Sequence, residues 1–174
     1  MKRANVGIEQ EAHDRELRVR RGTARDIPTI VRLVRELAKY EHLLRDLRLD
    51  RRRLGRDGFG RRKYFEALMC EREGRAVGYA IYYFTYSTFT CRPALFIEDL
   101  FVRRAERGQG AGKALMIALA RVALRRGCQQ MEWIVLDWNA PSIAFYRRLG
   151  ARLDKTWVLT RLVGARLRRL ARQP

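Results

Sequence analysis

A chain of 174 residues, 47% of them apolar, is long enough for one domain with a buried core, and it has no apolar run of the ~18 residues that a transmembrane helix needs. Its 38 Lys and Arg against 19 Asp and Glu give a net charge of +19. The arginines are spread along the whole chain, with no basic tract and no base-stacking aromatic pattern, which argues against nucleic acid as the partner. Residues 1–16 read as a polar, flexible extension without the apolar stretch of a signal peptide, ahead of a single domain over 17–174. A cytoplasmic location and no membrane partner are expected. Cys70, Cys91 and Cys128 are odd in number and lack metal-ligand spacing, so buried free thiols and no metal site are expected.

Residues 17–20 alternate as a first strand. Thr23 and Asp26 resemble a capping box. Ile27, Ile30, Val31, Val34, Leu37 and Ala38 then recur at helical spacing to about Lys39, with Pro28 in the first turn. A connection over 40–49 leads to a short helix near 50–56. Strands over 65–71 and 76–86 flank Glu73-Gly74, a hairpin signal. Arg92-Pro93 ends the next turn, and residues 94–102 form an apolar central strand interrupted by Glu98 and Asp99. A helix over about 112–126 follows, then a buried strand over 131–136. Asn139 caps a helix that carries Pro141 in its first turn and ends at Gly150. A last strand over 157–163 and a basic tail helix over 164–172 complete a mixed sheet with helices on both faces.

The most informative segment is Arg107, Gly108, Gln109, Gly110, Ala111, Gly112. Three glycines in five residues turn the backbone tightly between a strand and a helix start, whose unpaired N–H groups and dipole make an anion site sized for a pyrophosphate. The segment lacks the Lys-Ser/Thr of a P-loop and the acidic residue that a dinucleotide fold carries about 20 residues further on. The adjacent carboxylates Glu98 and Asp99 face opposite sides of a regular strand; a bulge would turn both to one side. A salt bridge plus one solvated carboxylate is the plainer alternative. Tyr146, beside Phe145, by itself reads first as a core residue.

The Arg-x-x-Gly-x-Gly pattern resembles the acetyl-CoA signature of the GNAT N-acetyltransferase superfamily. The segments 36–41, 57–60, 82–86, 97–102 and 138–146 are similar to its diamine (spermidine/spermine) acetyltransferase branch. The resemblance implies a mixed, mostly antiparallel sheet whose central strands splay to admit pantetheine, and acetyl-CoA as co-substrate without a metal. It implies that Tyr146 protonates the departing thiolate, and that Glu98 helps to deprotonate and bind the amine while Asp99 adds negative charge. Cofactor contacts would come from Leu100, Phe101, Val102, Arg107, Gly108, Gln109, Gly110, Ala111, Gly112, Lys113 and Asn139. The amine would meet Tyr40, Glu41, Glu98, Asp99, Glu132, Trp133 and Ile134. One departure stands out: the branch's acidic loop after the tyrosine helix is here the shorter, mostly basic 151–156, with only Asp154 acidic.

The function expected is transfer of acetyl to a primary amine of a small diamine or polyamine, by direct attack in a ternary complex of a homodimer. Acetylation of protein N-termini or lysines, and nucleic-acid binding on the same fold, are the alternatives.

Overall fold

β1 (Leu17–Arg21) is an edge strand, and from it the sheet grows in chain order through β2 (Glu66–Arg72), β3 (Arg75–Ser87), β4 (Arg92–Val102) and β5 (Met131–Trp133). The first three junctions are antiparallel and β4/β5 is parallel. The structure is a computed structural model describing residues 17–174, so the 1–16 extension lies outside the described residues. These residues group into two units, one reaching Ile134 and one from Val135 to Pro174.

In the first unit, period-two alternation splits the sheet residues between two faces. Ala67, Met69, Tyr79, Ile81 and Phe101 join Ile30 and Leu33 of α1 (Ile27–Tyr40) in one buried cluster. Each large side chain buried there contributes roughly 1.5–3 kcal/mol. Leu54 and Phe59 of α2 (Arg51–Phe59) pack at its border. The alternate residues Leu68, Cys70, Ala80 and Leu95 are also buried, as are Leu115, Leu119 and Val122 of α3 (Ala111–Arg125), which packs across β1 to β4. Asp26 accepts from the Thr23 N–H (2.8 Å) and hydroxyl (3.0 Å) and pairs with Arg20, as the capping-box reading required; the guanidinium holds its carboxyl down at about 2.

Several expectations need correction. β5 is three residues long rather than six, and it is half-exposed rather than buried, because only Leu95, Phe96 and Ile97 of β4 pair with it. Cys70 and Cys128 are buried, but Cys91 is exposed in the β3–β4 turn at φ 50°, where no strand covers it. In the second unit, α4 (Ala140–Arg148) and α5 (Gly164–Leu170) form, but residues 157–163 make no strand. Their apolar side chains face outward, with Trp157 and Val158 each 82% exposed. An apolar, β-branched composition suits a strand, but a strand forms only by pairing, and these residues pair with none. Among the described residues no helix is long and apolar enough to cross a membrane.

Candidate active site

The register between β3 and β4 slips once. Ile81 pairs with Asp99 and Tyr82 with Ile97, which leaves Glu98 as the extra residue of a β-bulge. The slip carries Asp99 to the face of Ile81 and Tyr79. There the buried Tyr79 hydroxyl donates to Asp99 Oδ2 at 3.0 Å. Burial pushes the Asp99 carboxyl up to about 6; the Tyr79 hydrogen bond opposes this, and the charges of Glu98 and Glu41 add to it. Glu41, the C-cap of α1, is itself raised by burial. Burial, and after it the charge of Glu98, raises the phenol of Tyr83, whose ring lies 5.1 Å from that of Phe96. Among the described residues, none of Glu41, Glu98 and Asp99 forms an ion pair, although Lys and Arg number 38 in the chain. The salt-bridge alternative for the two strand carboxylates is therefore not what the fold contains.

β4 runs beyond the end of β5, so from Glu98 to Val102 its second edge carries no strand among the described residues. Arg103 N–H donates to Val77 of β3 at 2.9 Å. Main-chain direction alternates along an antiparallel strand, so Phe101 also faces β3 while Leu100 and Val102 present their main chains to the open edge. The main chain of Phe101 serves the ladder and its side chain serves the core. The Val102 carbonyl accepts from Arg107 Nε at 3.0 Å, and the Arg107 guanidinium lies 4.4 Å from the Tyr40 ring centre and 5.7 Å from that of Phe101.

The glycine turn has the backbone that its residues required. Gly108 and Gly110 lie at φ 77° and 87°, and Gly110 is the N-cap of α3, its carbonyl accepting from Ala114 at 2.9 Å. The first N–H groups of α3, from Ala111, Gly112 and Lys113, have no partner within the helix. Arg72 braces the turn from β2, pairing with Glu106 at 3.0 Å and donating to the Gln109 carbonyl at 3.3 Å. Arg103 is held by Glu36 at 2.9 Å. Glu132 accepts from Gln130, Trp133 pairs with Ile97 beside the bulge, and Ile134 is 57% exposed.

In the second unit, Asn139 is buried, and its side-chain oxygen accepts from Ser142 N–H at 3.3 Å to cap α4. Tyr146 lies on α4, 9% exposed, its ring 5.3 Å from that of Phe145. Asp154 is tied to Thr156 through its N–H (2.8 Å) and hydroxyl (2.6 Å).

Residues 30–151 match the Acetyltransferase (GNAT) family. The chain belongs to this family. Over 165 residues it is 38% identical to thialysine N-epsilon-acetyltransferase of Sus scrofa, covering 88% of this chain and 96% of that one. It is 36% identical to spermidine/spermine N(1)-acetyltransferase-like protein 1 of Homo sapiens, over 83% of this chain but 22% of that longer protein. Among solved structures, an integron cassette protein from the mobile metagenome of V. cholerae superposes with a TM-score of 0.76 at 23% identity, covering 91% and 99% of the two chains.

As a GNAT member, the protein is an acetyl-CoA-dependent N-acetyltransferase acting on amines, and its co-substrate fits the residues present. A glycine turn at an open helix N-terminus suits a pyrophosphate, and the edge of β4 at Leu100 and at the Val102 N–H suits an amide-bearing chain laid along it as an added strand. Among the described residues no cluster of His, Cys, Asp and Glu is arranged to hold a metal. Two residues of this GNAT site escape a reading of the sequence. Arg72 is one of 38 cations and has no local signature. Tyr79 did leave a signal: a phenol inside the buried run 77–82 needs a partner for its hydroxyl.

Proposed function

We propose that the enzyme acetylates a primary amine of a small diamine or polyamine, by direct attack within a ternary complex with acetyl-CoA. Short diamines and lysine-like amines are favoured over long polyamines. The observation that carries this reading is the group of carboxylates Glu41, Glu98 and Asp99, none of them in an ion pair among the described residues, in a chain of net charge +19. Keeping carboxylates close together and without cations is costly unless a cationic ligand arrives. A substrate with ammonium groups is such a ligand. The names of the relatives agree in kind: thialysine, spermidine/spermine and, for an Arabidopsis thaliana protein 40% identical over 87 residues, L-ornithine all carry such amines. The acidic loop of the diamine branch is here the mostly basic 151–156, whose Asp154 is committed to Thr156, and on that resemblance short amines are favoured.

An alkyl ammonium has a pKa near ~10, so it must lose a proton before it can attack. The acidic group binds the ammonium and takes that proton, and Tyr146 donates a proton to the departing sulfur. Screening diamines, lysine analogues, spermidine and peptides, with released thiol as readout, tests the reading; turnover confined to peptides overturns it.

Glu41→Gln is expected to raise KM for 1,4-diaminobutane by about 10-fold, and KM for 1-aminobutane much less, because only the diamine brings a second ammonium to the site. Equal effects on both amines would remove Glu41 from the acceptor site. We also propose a homodimer. Supporting it is the exposed apolar surface of the second unit, which includes Trp157, Val158 and Val163. Light scattering at micromolar concentration and moderate salt should give twice the 20.5 kDa of one chain, and a monomer throughout would refute it.

A further inference from the structure

The phenol of Tyr79 is the one feature of the acidic site that the substrate reading above does not use. Its ring sits in the α1-side core with Ile30, Leu33, Met69, Ile81 and Phe101, and it is fully buried. A phenylalanine would fill that place, and the hydroxyl would be a cost in such surroundings unless bonded. It donates to Asp99 Oδ2 at 3.0 Å. The contact exists only because of the bulge at Glu98; in an unbroken register Asp99 would lie on the opposite face of the sheet.

We propose that Tyr79 is a positioning residue for the acetyl transfer, fixing the Asp99 carboxylate by one oxygen so that the other, Oδ1, receives the proton of the substrate ammonium. This inference rests on the amine reading above and names the base within it. One N–H bond of the ammonium breaks, the proton forms an O–H bond at Oδ1, and the electron pair stays on nitrogen. That pair forms the C–N bond to the acetyl carbonyl while the C–S bond breaks with its pair on sulfur. Nitrogen then loses a second proton and sulfur gains one. The products are amide and thiol, and Asp99 returns its proton to water.

The groups facing Asp99 are Tyr79 from β3, Glu98 from its own strand and Glu41 from the end of α1. Burial keeps Tyr79 protonated, so it only donates. Asp99 is raised to about 6, which leaves it ionised and still basic at neutral pH. The Tyr79 bond holds that value down, whereas the charge of Glu41 holds it up.

The test is the pH profile of kcat/KM for 1,4-diaminobutane and for thialysine, whose acid limb reports the free enzyme's base. Tyr79→Phe should move the limb upward by about one unit, a loss of roughly 5-fold at pH 6 and none at pH 9, with KM for acetyl-CoA unchanged. Glu41→Gln should move it downward. Asp99→Asn should abolish it and lower kcat. A limb unmoved in folded Tyr79→Phe overturns the inference. Should Tyr79→Phe fail to fold, Asp99→Asn decides, and persistence of the limb in that variant overturns the inference. Wild-type enzyme inert toward both amines overturns the substrate reading and this inference together; an active wild type with an unmoved limb overturns this inference alone.

Discussion

Tyr146→Phe is expected to lower turnover by ~100-fold or more while acetyl-CoA affinity stays within about 2-fold. The change removes one oxygen from a ring that is 9% exposed and packed beside Phe145, so α4 should keep its shape and its cap at Asn139. A proton donor to a leaving thiolate acts mainly in the transition state, where the sulfur takes up the electron pair of the C–S bond. Ground-state binding of the co-substrate should therefore barely change. Rapid-mixing kinetics are needed to show that the measured step is the chemical one. Near-normal turnover in that step would end the general-acid assignment and return Tyr146 to the core.

Gly110→Asp carries the second large effect, on binding rather than on rate. Gly110 adopts φ 87° at the N-terminus of α3, where the first N–H groups of the helix point outward. A carboxylate there stands against the pyrophosphate. At about 5 Å and an effective dielectric near 20, two unit charges repel by about 3 kcal/mol, which is roughly 100-fold in affinity. Left-handed backbone adds strain for any side chain, so Gly110→Ala is the control that separates strain from charge. Calorimetry with CoA should show the large loss for Asp and a smaller one for Ala, with both melting transitions lowered alike by the shared strain. Unchanged CoA affinity in Gly110→Asp would remove the phosphate-cradle reading.

The helices were legible because their signals are local. Pro28 in a first turn, Asn139 ahead of Pro141, and Gly110 before the apolar spacing of α3 each mark an end through backbone chemistry that does not depend on the rest of the chain. The interior side of α1 was read less completely. Leu33, fully buried, completes a face already marked by Ile30, Val31 and Ala38. Residues 157–163 were misread because a strand is a property of a pair. Their apolar composition is genuine, but no ladder forms on it, and the apolar side chains stay outside. The length of β5 was overestimated for the same reason.

The acid pair shows the same division within the site. The sequence by itself places Glu98 and Asp99 together in an apolar strand, sets the glycine turn immediately after it, and marks the chain as an acetyltransferase through those segments. It cannot say on which face each carboxylate lies, because that depends on how β4 is registered against β3. Tertiary structure alone decides this. One slipped residue at Glu98 moves Asp99 to the Tyr79 face, and the end of α1 brings Glu41 near enough for its charge to act on the same group. Register and helix docking are long-range choices, set by which burial is most complete over the whole sheet, and no window of sequence contains them.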